Sequence, residues 1–517
     1  MTAALPRKKL PIGIQNFAKI RDGCCYYVDK TPFACRLAEE GSYYFLSRPR
    51  RFGKSLFVDT LKELFEGNKR LFTGLHAEKH WDWSKKHPVL RFSFGEGGVS
   101  DQQALSNSLQ EQMERLADQL DVREASIREG KLSLSRLVRS AHAKHGQRVV
   151  ILVDEYDKPI LDHIENESVA GVMREGLSDF YSAIKELDAH LEFVLLTGVS
   201  KFSKVNLFSK LNNLSDLTIH KRYSAICGYT QEDVDTVFAP EMAGVDREKM
   251  RAWYNGYSWT GEKVYNPFDV LQFFDLGEYR AFWYETGNPS FLLKVLKKRP
   301  VFLPDLNRRH ATHTLLSTFD VDRMSIEALL FQTGYLTIRE IVKQGVIHNY
   351  ILGYPNLEVE TSLLGTLMQD WTPGVAEVSQ QIPKLYELLS ANNLDGIRDL
   401  MTGFYASIPH QWYTKNPIAQ YEGYYASVFY AFFASLGLHL HVGKSSNAGR
   451  LDMEVIIDNR ALIFEFKLVE DEPEGKALAQ IFEKGYDQPH LAAGREVHCV
   501  GIEFSKAKRN IVGWETD

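Results

Sequence analysis

The chain has little of what would mark it as secreted, membrane-bound or globally nucleic-acid-binding. Its 517 residues include only five cysteines, Cys24, Cys25, Cys35, Cys227 and Cys499, an odd number with no CxxC spacing. That excludes a disulfide-stapled scaffold and reads as reduced thiols in a cytoplasmic protein. No apolar run is long enough to span a bilayer, so no membrane association is expected. The opening MTAALPRKKLPIGIQ has basic residues with no apolar segment behind them, so no secretory leader is expected. Positive charge is not in excess: 61 Lys and Arg stand against 67 Asp and Glu, a net charge of −6. A strongly basic nucleic-acid binder is excluded, although a local groove can be basic on an acidic protein. Low-complexity tracts and clear repeats are absent. So is the GxSxG nucleophile elbow, because GLSDF and GVSKF lack its second glycine. The composition, 44% hydrophobic and 25% charged, is that of a folded globular protein. The length is too great for one core and suggests roughly two to four domains.

The stretch SRPRRFGKS, Ser47 to Ser55, also lacks something. It ends as a phosphate-binding loop, in Gly53, Lys54 and Ser55, but Arg48 stands where the pattern G-x-x-x-x-G-K-[ST] has its first glycine. The context nevertheless has the required order. SYYFLS (Ser42 to Ser47) reads as an entering strand. Leu56, Phe57, Leu61, Leu64 and Phe65 lie on one face of a following helix, which Gly67 and Asn68 close. Backbone N–H groups and the helix N-terminus would then meet phosphate. VVILVDEYD supplies a buried strand, Val149 to Val153, ending in Asp154 and Glu155. Asp154 is the candidate ligand, through water, for the Mg²⁺ of a bound ATP, with Ser55 beside it. Glu155 is the candidate to orient attacking water. Arg48, Arg50 and Arg51 would add positive charge near the phosphates. If position 48 needs positive φ, the non-glycine residue costs about 1–2 kcal/mol. VLRFSF (Val89 to Phe94) and LEFVLLTG (Leu191 to Gly198), with helical stretches between them, complete a mostly parallel α/β sheet.

With these residues in view, the first part of the chain resembles the bacterial and archaeal AAA-ATPase-like family of P-loop proteins. The resemblance rests on GIQNF (Gly13 to Phe17), YVDKT (Tyr27 to Thr31), RPRRFGKS, the segment Leu196 to Thr218, and WYNGYSW followed by YNPFDV. It covers roughly the first 290 residues. It implies that the missing glycine is the family's habit, and that Thr197 to Lys201, Thr197 and Ser200 among them, lie beside the γ-phosphate as a sensor.

The C-terminal part carries a separate pattern. YEGYYASVFYAFFASLG is an apolar helix, LHLHVG a strand, RLDMEVIID and ALIFEFKLV a strand pair, PEGKALAQIFEKGYD a helix and EVHCVGIEF a strand. The order is α-β-β-β-α-β. Alternation puts Glu465 and Lys467 on the face opposite Phe464 and Phe466, with Asp452 on the adjoining strand. Oxygen ligands in such an arrangement suit Mg²⁺ or Mn²⁺, which would bind a scissile phosphate and activate water. GRLD, FEFK, the ALAQI helix and KGY resemble the PD-(D/E)XK nuclease superfamily. By that resemblance Asp452 and Glu465 are metal ligands, Lys467 is the catalytic lysine and Gln480 reaches the site, with Glu422 a weaker further ligand. His439 and His441 share a strand face but have no third ligand nearby in sequence, so they read as core or surface histidines.

Three segments follow: a P-loop AAA-ATPase-like domain (1–225), a helical lid and linker region with a winged-helix element (226–400), and a restriction-endonuclease-like domain (401–517). In the middle segment, LLFQTGYLTIREI and NYILGYPNLEVE suggest helix and wing, serving either DNA contact or an interdomain clamp. The expected function is an ATP-dependent, metal-dependent nuclease acting on DNA ahead of RNA, with no membrane partner and compatible with a homo-oligomer; analogy suggests defence or mobile-element handling. The alternatives are a nucleotide-controlled switch whose nuclease-like domain binds without cutting, and an interaction protein that retains both folds.

Overall fold

A computed structural model describes residues 6–95, 98–123, 132–164, 166–201, 213–286, 292–293, 295–296, 303–317, 325–344, 347–371, 378–407, 422–446 and 449–517. The chain divides into two compact units, 1–287 with 310–351, and 288–309 with 352–517. This differs from the three segments read from sequence. The helix-and-wing stretch falls in the first unit as far as Ile351, while helices Leu357–Trp371, Val378–Ser390 and Leu394–Ser407 fall in the second.

The first unit is built on strands β1 (Tyr43–Ser47), β2 (Val89–Ser93), β3 (Val149–Asp154), β4 (Leu191–Gly198) and β5 (Ser215–Asp216). Their order is β2-β3-β4-β1-β5, and every neighbouring pair is parallel. The β-rich run Val149 to Val153 is buried along its whole length, as a parallel strand covered on both faces must be. Pairing of Ser47 with Gly198 and of Ser93 with Asp154 aligns the carboxyl ends of these strands along one edge, where ligands of open α/β sheets collect.

Asn16 caps helix α1 (Phe17–Asp22) through the Lys19 N–H, and the Phe17 N–H is held by Asp59 Oδ2 at 2.6 Å. Asp29 and Thr31, from YVDKT, bind the backbone N–H groups of His76 and Ala77 and start helix α2 (Thr31–Glu40). Helix α3 (Lys54–Phe65) follows the phosphate-loop sequence. Beyond the sheet, helices Gln231–Val237, Arg247–Tyr254 and Pro267–Leu276 surround a core that includes Tyr254, Tyr265 and Phe273. Helix Ile326–Thr333 then precedes the hairpin β7 (Thr337–Gln344) and β8 (Ile347–Gly353). Strand β6 (Arg309–Thr312) completes a sheet of order β6-β8-β7, the helix-and-wing topology expected.

In the second unit, β9 (His439–Ser446), β10 (Gly449–Ile457), β11 (Arg460–Val469), β12 (Glu496–Ser505) and β13 (Asn510–Thr516) form a sheet of order β13-β12-β11-β10-β9. The β11–β12 pair is parallel and the others antiparallel. Helix Glu422–Ala434 packs Phe429 and Phe433 on the face of Phe464 and Phe466. Helix Lys476–Lys484 covers the other face at Gly501, where a Cβ would stand 2.2 Å from the Leu478 nitrogen. The short helix Gln488–Ala492 and β13 extend the α-β-β-β-α-β pattern read from sequence. β13 is a half-exposed edge strand, and its pairing is interrupted by a bulge at Glu503 and Phe504. It therefore lacks the apolar alternation by which strands are recognised. Among the described residues no helix is long and apolar enough to cross a membrane.

Candidate functional sites

Between β1 and α3 the chain turns through Arg51 at φ 67° and Gly53 at φ 91°. Arg48 is not among the positive-φ residues, so the strain expected at position 48 falls at Arg51 instead. Arg48 also departs from its expected place beside phosphate. Its fully buried guanidinium donates to the carbonyls of Ser47 (2.8 Å), Thr218 (3.0 Å) and Tyr223 (2.9 Å), and lies 4.0 Å over the Trp259 ring. Burial pushes it down to about 10, still charged at neutral pH. Phe52 packs edge-on against Tyr257 and Trp259. The WYNGYSW aromatics thus hold the loop from behind, and Arg48 ties it to the chain after β5. Arg48→Ala leaves those carbonyls unpaired and is expected to destabilise the first unit by roughly 3–5 kcal/mol in urea unfolding. Arg48→Lys should not restore it, because an ammonium cannot reproduce the planar fork and the stacking.

Arg50 and Arg51, by contrast, are exposed and line a cleft of about 470 Å³ together with Gly53, Lys54 and Ser55. Lys54 is buried, and its Nζ donates to the carbonyls of Arg48 (2.9 Å) and Pro49 (3.0 Å). Burial pushes its ammonium down, opposed by the carboxylates of Asp154, Glu155 and Asp157. Ser55 and Glu155 also line a second, polar cleft of about 770 Å³, which Asp154 borders. Asp154 Oδ1 accepts from Thr197 Oγ1 at 2.9 Å, and its Oδ2 lies 3.9 Å from Arg91. Glu155 sits at φ 54° immediately beyond the strand. The hydroxyl of Ser55 and the carboxylates of Asp154 and Glu155 are the hard oxygen donors that a nucleotide-bound Mg²⁺ takes, so the residues fit that ion.

Thr197 and Ser200 are fully buried and line neither cleft, whereas Val199 of the same segment lines the first. Thr197 holds Asp154, whereas Ser200 gives both its N–H (2.6 Å) and its hydroxyl (2.7 Å) to Asp157 Oδ2. Val199 N–H joins them at 3.0 Å. Burial pushes the Asp157 carboxyl up, although Ser200 opposes it. Asp157 closes the VVILVDEYD motif yet was not singled out by sequence. Nor was Gln15 of GIQNF, which lines both clefts. Residues 202–212 of the Leu196–Thr218 segment lie outside the described residues.

In the second unit, pairing of Met453 with Phe464 puts Asp452 opposite Glu465. Asp452 Oδ2 accepts from the Phe466 N–H at 2.9 Å, and Glu465 Oε2 from the Asp452 N–H at 3.4 Å. Lys467 Nζ reaches Glu465 Oε1 at 3.4 Å, and Gln480 Nε2 donates to the same oxygen. Asp452, Glu465, Lys467 and Gln480 therefore converge on one face, under helix Lys476–Lys484. Glu422 begins the helix on the opposite face, but its side chain lies outside the described residues, as do those of His439 and His441. Among the described residues no three His, Cys, Asp or Glu gather closely enough to hold a metal ion.

Burial first, and then the neighbouring Asp452 charge, push the Glu465 carboxyl up to about 7, against the pull of Lys467. Two crowded carboxylates of this kind fit a divalent cation, which would relieve their repulsion. The folded chain binds the Glu465 proton more tightly than the unfolded one. Its stabilising contribution is therefore present below the ordinary glutamate value of 4.5 and is lost as pH rises through about 7. Metal-free protein should melt at a lower temperature at pH 8 than at pH 5.5 on this account, and Mg²⁺ or Mn²⁺ should raise melting more at pH 8.

Residues 11–208 match the family described as predicted AAA-ATPase, and residues 420–514 match the PD-(D/E)XK nuclease superfamily. The chain is 53% identical over 517 residues to a protein of Azotobacter chroococcum mcd 1 described as "Uncharacterized protein in vnfD 5'region", with 99% of each chain covered. No solved structure matches it. The chain belongs to the family of predicted AAA-ATPases and carries a C-terminal domain of the PD-(D/E)XK nuclease superfamily.

Proposed function

We propose that this protein binds and hydrolyses ATP in its first unit and, under nucleotide control, hydrolyses phosphodiester bonds of DNA, ahead of RNA, in its second. The observation that carries the nuclease reading is the convergence of Asp452, Glu465, Lys467 and Gln480 on one sheet face, with Glu465 held near neutrality. Asp452 and Glu465 would hold Mg²⁺ or Mn²⁺, with Glu422 as a further candidate. A cation bound there supplies charge for the scissile phosphate and lowers the pKa of water. Lys467 orients that water and balances charge developing on the phosphate. Gln480 fixes the orientation of the Glu465 carboxylate.

At the nucleotide site, Lys54, Arg50 and Arg51 supply positive charge to the phosphates, and the α3 N-terminus supplies backbone N–H groups. Ser55 and Asp154 would hold the nucleotide's Mg²⁺, and Glu155 would orient water. Thr197 and Ser200 act by positioning Asp154 and Asp157. The reduced state of all five cysteines, four of them buried, suits a cytoplasmic protein. A homo-oligomer is compatible with the AAA-like unit.

One observation favours the regulatory-switch reading: two of the three donors of the Lys54 ammonium are taken by carbonyls of its own loop, which leaves one for a phosphate. The test follows cleavage of single- and double-stranded DNA and of RNA by the purified chain, with Mg²⁺ or Mn²⁺, in the presence and absence of ATP. Metal-dependent cleavage that responds to ATP is the expected result. Tight ATP binding without cleavage of any substrate would establish the switch instead.

A further inference from the structure

The loop after β4 does not end at the phosphate edge. The Lys201 N–H donates to Gln332 Oε1 at 3.0 Å, and both residues are buried. Gln332 belongs to helix Ile326–Thr333, whose own amide Nε2 donates to the Leu316 carbonyl at 3.0 Å. Its two polar atoms are thus satisfied on opposite sides, one by the loop and one by the chain preceding the helix. The buried Lys201 ammonium pairs with Asp216 on β5, which fixes the loop at its other side.

The same helix end also meets the phosphate loop. Gly334 follows it at φ 94°, and a Cβ there would lie 2.7 Å from Pro49 Cβ and Cγ. Pro49 is one of the two residues whose carbonyls hold Lys54. Trp283 Nε1 donates to the Arg50 carbonyl at 3.1 Å and its ring packs against Tyr335. Two residues further on, Thr337 Oγ1 accepts from Ser258 N–H at 2.7 Å at the start of the wing. Helix end and wing root therefore touch both loops that bracket the cleft, at Lys201 and at Pro49. Lys54 thus bonds a residue that the helix end packs against, and Ser200, which holds Asp157, is the covalent neighbour of the Lys201 N–H that Gln332 accepts.

We propose that Gln332 is a positioning residue of the nucleotide site, coupling loop 197–201 to the helix-and-wing element so that this element reads nucleotide state. The proposal rests on the first unit being a nucleotide site. Gln332 does not line the cleft. It acts through the Lys201 backbone, which ties the position of Ser200, and thereby Asp157, to the helix.

The experiment compares the full wild-type chain with Gln332→Leu, Gln332→Glu and Lys54→Ala, with and without a slowly hydrolysed ATP analogue. Nucleotide affinity, the kcat and KM of ATP turnover, and amide hydrogen exchange over residues 326–333 and 337–344 are measured. In the wild type, the analogue should change exchange over both segments. Gln332→Leu should keep KM within about threefold, lower kcat about tenfold, and lose the exchange response. Glutamate retains an acceptor for the Lys201 N–H and, when protonated, a donor for the Leu316 carbonyl, so Gln332→Glu should recover most of both at pH 6 and less at pH 8. A saturated wild-type chain whose exchange over 326–333 is unchanged by nucleotide overturns the coupling, whether or not the variants fold. A response that persists in Gln332→Leu overturns it as well. Wild-type protein that binds nucleotide no better than Lys54→Ala overturns the nucleotide site itself, and the coupling with it.

Discussion

Asp452→Asn is expected to abolish metal-dependent cleavage while leaving the fold intact. Asparagine keeps an oxygen to accept the Phe466 N–H, which Asp452 Oδ2 now holds at 2.9 Å. What it removes is one of two adjacent anionic charges. That charge is a ligand in the proposed reaction, and it is also a cause of the raised Glu465 carboxyl. The variant should therefore lose cleavage and Mg²⁺ affinity together, while its metal-free melting temperature at pH 8 stays level or rises. Lys467→Ala separates the roles. It should keep metal binding, read by the metal's effect on melting, and lose cleavage by about 10²–10³-fold, the scale of removing one preorganised group that stabilises developing charge. Cleavage surviving unchanged in both variants would place the chemistry elsewhere. Equal loss of fold in both would mean that the carboxylate face is structural.

The second large effect is at Lys54. Its ammonium is buried among Asp154, Glu155 and Asp157, which oppose the downward push of burial. Lys54→Ala removes the positive charge that the proposed function gives to the phosphates, and the hydrogen bonds to the Arg48 and Pro49 carbonyls. Nucleotide affinity should fall on the order of 100-fold, since hydrogen bonds to charged groups contribute about 1.5–3 kcal/mol. Equilibrium binding of a fluorescent ATP analogue reads this directly. Ser55→Ala should weaken binding chiefly when Mg²⁺ is present, because the hydroxyl's proposed partner is the ion. ATP affinity unchanged in Lys54→Ala would remove the nucleotide reading, and comparable losses with and without Mg²⁺ in Ser55→Ala would move the metal away from that residue.

The two sites were legible in the sequence to different depths. The strand, loop and α3 around Gly53, Lys54 and Ser55 are contiguous, so local pattern sufficed to order them. Alternation along Phe464 to Lys467 likewise sorted the charged pair from the phenylalanines, because a strand's side chains change face at every residue. The edge strand β13 was not legible, since its half-exposed residues carry no apolar alternation and its place comes from pairing with β12. The hydrogen-bond partners of Arg48, Thr197 and Ser200 were not legible for a different reason. Residue type identified polar groups near a nucleotide site, but not which neighbours would claim their hydrogen bonds.

The sequence by itself determined which charged groups enter each site, through covalent neighbours and the periods of strand and helix. Only the tertiary structure decided which of them remain open to a ligand. Arg48 is withdrawn by Thr218, 170 residues away, Ser200 by Asp157, 43 residues away, and the Lys201 backbone N–H is held by Gln332, 131 residues away. Buried donors and acceptors must find partners, and across such separations the folded arrangement of the strands determines which partners they meet.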